Sequence, residues 1–378
     1  MLQRIRNARY VEGKIMIKPK LSSTSSVVRV SENVLEFFKT NTREQVKIKV
    51  EDDAILNIVL DMDGTQDFKA LSEKHHIQYD SLNTLIAFLD RKGILDHVDP
   101  KDDFDSYNSY RRVIHFLSDF SESHEHLLSM WNRLRNATVL IIGLGAVGSW
   151  VACNLIQSGI KNLILMDGDT VDISNLHRQF GYRECDIGQK KADVLEQRLK
   201  EYSTDINIIK CYDYLNEGTL SQFDNQNINL IINCADKPTV DMTSLWVGEY
   251  GMKHNIPHIV GGGYNLHLSL IGQTVIPHKS ACVKCFQMHL EEQNKIDPNR
   301  VKKLAVKNRK VGSFGPMCSM IASMVGMEAI KILSGCIVPA NINRRGEFDI
   351  YTMDITYNKF LRRDDCEWCG KKGRYKDT

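Results

Sequence analysis

The chain has 378 residues, of which 42% are hydrophobic and 25% charged, an ordinary balance for a globular protein with room for two or three domains. Its 49 basic and 47 acidic residues leave a net charge of +2, so no global excess of charge calls for nucleic acid or an anionic membrane. No stretch approaches the uninterrupted apolar length of a membrane helix, and Met1 to Lys20 is basic without an apolar export core, so a cytoplasmic protein with no membrane partner is expected.

From the N-terminus, Val27 to Val30 and Val46 to Val50 read as short strands. The second alternates as Val46-Lys47-Ile48-Lys49-Val50 after a polar turn at Asn41 to Glu44, and the two are expected to pair as a hairpin. Helical patterns follow at Ala54 to Leu60, Gln66 to His75 and Ser81 to Lys92. The last sets Leu82, Leu85, Ile86 and Leu89 on one face and stops at Gly93. Strands plus three helices make a winged-helix-like α+β module over residues 1–104, closed by a polar, acidic linker from Asp99 to Ser109. Its third helix carries Asp80, Asn83 and Asp90 beside only Arg91 and Lys92. That is poor chemistry for phosphate, so a DNA-binding regulator is disfavoured and a structural or dimerising cap remains an alternative.

Residues 105–378 open differently. Thr138 to Ile142 is continuously apolar, as a buried parallel strand should be, and Gly143-Leu144-Gly145-Ala146-Val147-Gly148 follows as a turn into a helix from Ala146 to Ser158. Glycines suit a tight turn that lets backbone approach phosphate, and the helix N-terminus offers unpaired N–H groups. A second strand, Asn162 to Met166, ends at Asp167, placed to accept hydrogen bonds from ribose hydroxyls. The fold expected is α/β, a doubly wound and mostly parallel Rossmann-like sheet. Taken alone, the glycine fingerprint favours a nicotinamide dehydrogenase.

Further on, Cys282-Val283-Lys284-Cys285 and Cys366-Glu367-Trp368-Cys369 form two pairs with two-residue spacing. Such knuckles present four thiolates to one tetrahedral ion, so Cys282, Cys285, Cys366 and Cys369 are expected to hold structural Zn²⁺ in a closed shell. Isolated cysteines such as Cys318 read as small core residues.

The continuation Asp167-Gly168-Asp169-Thr170-Val171-Asp172-Ile173-Ser174-Asn175-Leu176-His177-Arg178-Gln179-Phe180, then Ile187-Gly188-Gln189-Lys190-Lys191 and Asn233-Cys234-Ala235-Asp236, overrides the dehydrogenase reading. Together with the glycine turn and the cysteine pairs, these segments resemble the ThiF, MoeB and HesA group of the ubiquitin-activating-enzyme superfamily from about Tyr110 to Gly370. The resemblance implies activation of a carboxylate with ATP. Asp167 would hold the ribose. Gly143, Gly145, Gly148, Asp169, Asn175 and Gln179 would line the nucleotide, with Arg178 and Lys191 at the triphosphate and Lys190 as the competing lysine. Asp236 would hold Mg²⁺, the plainer alternative being a helix N-cap before Pro238. Arg112, in Tyr110-Arg111-Arg112, would enter the neighbouring subunit's site in a homodimer, or else serve as a surface ion-pair partner.

Members that pass the acyl group to an enzyme thiol carry a cysteine in the crossover segment, and this chain has none between Phe286 and Met317. A covalent thioester is therefore not expected. His267 and His289 match no motif and read as structural. Within the group, the added N-terminal module and the Gly312 to Met317 crossover most resemble the maturases of ribosomal peptide antibiotics, of the microcin C and pantocin A type. That implies a leader peptide of a ribosomal precursor adding a strand to the N-terminal hairpin and resting on the third helix. The product would be a peptide joined to AMP or, on the favoured reading, a bicycle condensed from activated glutamate side chains. The alternative is an adenylyltransferase for a ubiquitin-like sulfur carrier.

Overall fold

The computed structural model describes residues 18–50, 54–96, 104, 106–260, 263–264, 268–294 and 312–376. The chain divides into two compact units, residues 1–102 with 118–127, and residues 103–117 with 128–378.

In the first unit, β1 (Ser25–Ser31), β2 (Val34–Lys39) and β3 (Gln45–Lys49) form an antiparallel sheet in the order β1-β2-β3. The two strands expected from sequence therefore do not pair with each other; each pairs with β2. Strand β2 escapes periodicity because the Phe37-Phe38 doublet breaks its alternation, yet Leu35 and Phe37 are fully buried on one face. Helices α1 (Ala54–Leu60), α2 (Phe68–Lys74) and α3 (Tyr79–Arg91) follow. Asp67 caps α2 by accepting the Ala70 N–H at 2.8 Å, and Gly93 ends α3 at φ +61°. Leu35 and Phe37 pack into a core with Ile58, Leu71, Leu82, Ile86 and Leu89. Each such side chain contributes roughly 1.5–3 kcal/mol through burial, so the sheet and helices depend on one another for stability.

Helix α4 (Tyr107–Ser118) begins inside the stretch expected to be linker, and α5 (His124–Asn136) follows it. The unit's centre is a six-stranded sheet of β4 (Thr138–Ile142), β5 (Asn162–Met166), β6 (Asn207–Cys211), β7 (Leu230–Asn233), β8 (His258–Val260) and β11 (Gln273–Val275), ordered β11-β8-β7-β4-β5-β6. All neighbours run parallel except β11, which pairs antiparallel with β8. Helices α6 (Gly148–Gln157), α7 (Lys191–Lys200) and α8 (Val240–Lys253) are interspersed with the strands. Successive strands run outward from β4 to β6 and then restart on β4's other side with β7. The strand order therefore reverses between β4 and β7, where a doubly wound sheet opens a crevice at its carboxyl ends.

Helix α6 starts at Gly148, two residues after the expected start, because the turn takes up Ala146 and Val147. A Cβ on Gly148 would lie 1.9 Å from the Gly143 carbonyl oxygen, so no other residue closes this turn. A second sheet, β13-β12-β10-β9, is built from β9 (Gly263–Tyr264), β10 (Leu268–Ile271), β12 (Arg344–Asp349) and β13 (Ile355–Lys359). Helix α9 (Val283–Asn294) precedes α10 (Gly315–Ser334), which starts at Gly315 with Pro316 in its first turn.

Helix α10 corrects one expectation. Its 20 residues are long and apolar enough to cross a membrane, but 56% of the qualifying window is buried inside the protein. Glu328 within it is buried and accepts the Ala340 and Asn341 N–H groups and the Thr274 hydroxyl, as a core helix's polar residue should.

Candidate active site

The crevice is assembled first from backbone. Gly143, at φ +86°, donates its N–H to the Met166 carbonyl at 2.8 Å. A Cβ there would meet Ala235 N and Cys234 C at 2.8 Å, so the chain leaving β7 packs directly on the turn leaving β4. Around Gly145 the space is open: the nearest atom to a Cβ would be Gln179 Nε2 at 3.9 Å. The turn thus leaves room for a phosphate at the amino end of α6.

Asp167, buried at the end of β5, clamps this turn. Its Oδ2 accepts the Leu144 N–H at 2.6 Å and its Oδ1 accepts the Asp169 N–H at 2.8 Å. Each carboxylate oxygen keeps a second lone pair, so the clamp can also receive ribose hydroxyls. The buried Tyr182 hydroxyl donates to the Leu144 carbonyl at 2.9 Å, and burial, then the Asp167 charge, push its pKa well up.

The loop beyond β5 holds itself open with local caps. Asp172 accepts the Ser174 N–H at 2.8 Å, and Asn175 Oδ1 accepts the Asp172 N–H at 3.0 Å. Asn175 is therefore in part a loop brace. This brace presents Arg178 and Gln179, whose Nε and Oε1 respectively are sealed from solvent without a hydrogen-bond partner among the described residues. Trp150 donates to the Arg178 carbonyl at 3.2 Å, and an Arg178 Nη1 donates to the Ser174 carbonyl. A buried donor left unpaired is costly, and an anionic ligand in the crevice would pair it.

Lys191, the first residue of α7, is buried with its Nζ 3.1 Å from Asp169 Oδ2. Lys190 instead donates to the Gly168 carbonyl at 2.9 Å. Asp169 also accepts the Tyr214 hydroxyl at 2.8 Å and sits 3.5 Å from Lys237 Nζ. Burial pushes the Asp169 carboxyl up, but Tyr214, Lys191 and Lys237 outweigh it and hold its pKa below the ordinary value. Asp169 is thus a lysine anchor. Tyr214 and Lys237 were not foreseen: neither lies in a spaced motif, although Lys237 adjoins Asp236. Gly168 makes room for the Tyr214 ring, which a Cβ would approach to 2.7 Å.

Asp236 stands exposed on the loop after β7. The helix cap considered for it belongs to Thr239, whose side chain accepts the Met242 N–H at 3.2 Å. Asp236 has no hydrogen bond or ion pair among the described residues, and an exposed carboxylate suits a hard divalent cation. Arg112 is exposed on α4. Tyr110 anchors that helix by donating to the Ile156 carbonyl at 3.2 Å and stacking on Trp131 at 5.5 Å. Arg112 joins none of the crevice residues through a contact among the described residues.

At the start of α9, Cys282 and Cys285 meet Cys366 and Cys369, all four buried, with their Sγ atoms within 4.8 Å of one another. Individual separations are 3.3 Å for Cys285 and Cys369, 3.6 Å for Cys282 and Cys366, and 3.9 Å for Cys282 and Cys285. A tetrahedral zinc with metal–sulfur bonds of about 2.3 Å places its sulfurs about 3.8 Å apart, so this cluster has the right size and donor set to hold one. Gly370 closes the second knuckle: its N–H reaches the Cys366 carbonyl at 2.9 Å, and a Cβ would come within 2.5 Å of that oxygen.

The family model described as the ThiF family matches residues 110–368. The chain belongs to the ThiF family. Molybdopterin-synthase adenylyltransferase of Escherichia coli is 28% identical over 240 residues, covering 63% of this chain and 89% of that protein. The sulfur carrier protein ThiS adenylyltransferase of E. coli is 28% identical over 238 residues, covering 63% and 88%. Among solved structures, E. coli MccB with AMPCPP and MccA superposes with a TM-score of 0.71 at 22% identity, covering 93% of this chain and 99% of MccB. PaaA superposes with a TM-score of 0.68 at 18% identity, covering 90% and 99%. The fold is thus shared with both.

Two further groups weighed from sequence lie apart from the crevice contacts described above. Cys318 is fully buried in α10, and burial pushes its thiol up. His289 bonds Asn358 Oδ1 at 3.2 Å, while His267 lies outside the described residues.

Proposed function

We propose that this protein is an ATP-dependent adenylyltransferase that modifies a ribosomally made precursor peptide by activating a carboxyl-derived group. The observation that carries the reading is the extent of the likeness. The ThiF family model begins at residue 110, whereas the likeness to MccB, solved with AMPCPP and MccA, spans 93% of the chain and so takes in much of the first unit as well.

The crevice suits that chemistry. A carboxylate oxygen attacking phosphorus builds charge on an already anionic group, and Arg178 and Lys191 supply fixed positive charge where it develops. Asp167 would hold the ribose beside the open turn at Gly145. Mg²⁺ bound by Asp236 would supply further neutralisation of the phosphates. Zn²⁺ in the four-cysteine cluster would be structural, since no open coordination position remains. In the first unit, the exposed Val28 and Val30 on edge strand β1 offer a place for a leader peptide to add a strand. A homodimer would carry Arg112 into the partner's site. Condensation of glutamate side chains to a bicycle is the finer reading.

Incubation with ATP, Mg²⁺ and the short peptide encoded beside the gene is expected to release pyrophosphate, with AMP either freed or kept on the peptide, and to change the peptide's mass. An unaltered mass with a folded enzyme would overturn the proposal. The second reading, an adenylyltransferase for a sulfur carrier, draws on the named relatives; it predicts AMP transfer to a carrier ending in Gly-Gly and none to the short peptide.

A further inference from the structure

Strand β12 carries two adjacent arginines, and neither guanidinium has a hydrogen bond or ion pair among the described residues. Each instead lies over an aromatic ring. Arg344 Cζ is 3.8 Å from the Tyr357 centroid, and Arg345 Cζ is 3.6 Å from the Phe286 centroid. Both Nε atoms are sealed from solvent without a hydrogen-bond partner among the described residues. Successive strand residues face opposite sides, so the two arginines serve different surfaces.

Arg345 shares its side with α9. Its register partner on β13 is Asn358, which bonds His289 of α9, and Phe286 itself stacks on Phe360 at 4.9 Å. Phe286 directly follows Cys285, so the cysteine cluster holds the ring on which the guanidinium rests. The opposite charge that acts on Arg345 is Asp241, in the first turn of α8 just past Asp236. Burial pulls the guanidinium down to about 9, against Asp241, and it stays cationic at neutral pH.

An unpaired, largely desolvated cation costs folding free energy, and binding of an anion would recover it. The ring contact holds the guanidinium, whose fork can receive a carboxylate or a phosphate in bidentate fashion. The surrounding charges favour the carboxylate. Arg178 and Lys191 already gather at the nucleotide crevice, and the Asp241 charge opposes a doubly charged ligand more than a singly charged one.

We propose that Arg345, held over the Phe286 ring, is a specificity-determining residue that receives a carboxylate of the peptide substrate, an inference that rests on the proposed peptide-modifying function.

The test uses the full chain labelled with ¹⁵N-arginine. Because Arg345 Nε–H is sealed, its resonance should be observable, and Arg345→Lys assigns it by its loss. Glutarate should shift it saturably and glutaramide should not. Arg345→Lys should raise KM for the precursor peptide about tenfold while leaving kcat and ATP affinity unchanged; Arg344→Ala, on the opposite face, should alter none of these. An unresponsive resonance, an equal response to glutaramide, a stronger response to inorganic phosphate, or a loss of ATP affinity in Arg345→Lys would each overturn the assignment. Calorimetric ATP binding separates the two levels. Absent binding in the wild type would remove the functional reading and this inference with it, whereas intact binding beside an unresponsive Arg345 would remove this inference alone.

Discussion

Around the four cysteines every thiol is enclosed, at 0–2% exposure, and each sulfur finds the others within 4.8 Å. In the crevice above β4 the pattern is reversed: Asp236 is exposed, and Arg178 Nε and Gln179 Oε1 have no partner. Both places are built from short, regularly spaced motifs, yet they do different work. A closed donor set with its ion lowers the free energy of the folded chain. An open set leaves polar groups unpaired in the folded chain, at a cost in stability, and keeps their interactions for a ligand and its transition state.

Substitutions should separate along that line. The largest effect is expected from Asp236→Ala, which should lower turnover about a thousandfold by removing the proposed cation anchor, with the melting temperature unchanged because the side chain is exposed. Wild-type turnover in that variant would refute its assignment. Cys285→Ser should do the converse, lowering bound zinc by mass analysis and destabilising the unit by on the order of 4 kcal/mol. Unchanged zinc content and melting would dispose of the metal centre.

Next in size is an effect of acid. His258 is fully buried, its Nδ1 lies 2.9 Å from the Ile256 carbonyl, its Nε2 has no partner, and burial pulls its pKa down to about 4. Below its ordinary value of 6.5 the unfolded chain takes up a proton that the folded chain refuses. Stability should therefore fall as pH drops from 6.5 toward 4, by on the order of 3 kcal/mol. Denaturant melts of the wild type and His258→Gln across that range should show a flatter acid limb in the variant; identical slopes would contradict the assignment. The smallest effect sharpens the contrast most. Gly145→Ala meets nothing closer than 3.9 Å, so it should leave folding alone yet raise KM for ATP about fivefold, costing about 1 kcal/mol of binding. Loss of stability without a change in KM would show that the gap above Gly145 is not where phosphate lies.

Much of this was legible in the chain itself. Strands β4 and β5 have the bounds read from sequence, because uninterrupted apolar runs ending at a glycine turn and an aspartate leave little choice. The helices α1 to α3 were likewise visible from their apolar faces. Strand β2 was not, since its central place depends on which neighbours bury Leu35 and Phe37 rather than on its own alternation. Within the site, the glycines, the Asn175 to Gln179 segment and the cysteine pairs were readable as spacings. Tyr214 and Lys237, which converge on Asp169 from segments far along the chain, carry no spacing at all.

The sequence by itself determined the local geometry: where the chain must turn on glycine, which runs are buried strands, and which thiols come in pairs. These follow from stereochemistry and periodicity within a few residues. Only the tertiary structure decided where the strand order reverses, that Lys191 rests on Asp169 while Lys190 binds backbone, that Thr239 and not Asp236 caps α8, and that Arg345 lies unpaired on Phe286. Those outcomes depend on which distant groups share a desolvated space, where the pairing of each polar atom is settled by its neighbours in three dimensions and not along the chain.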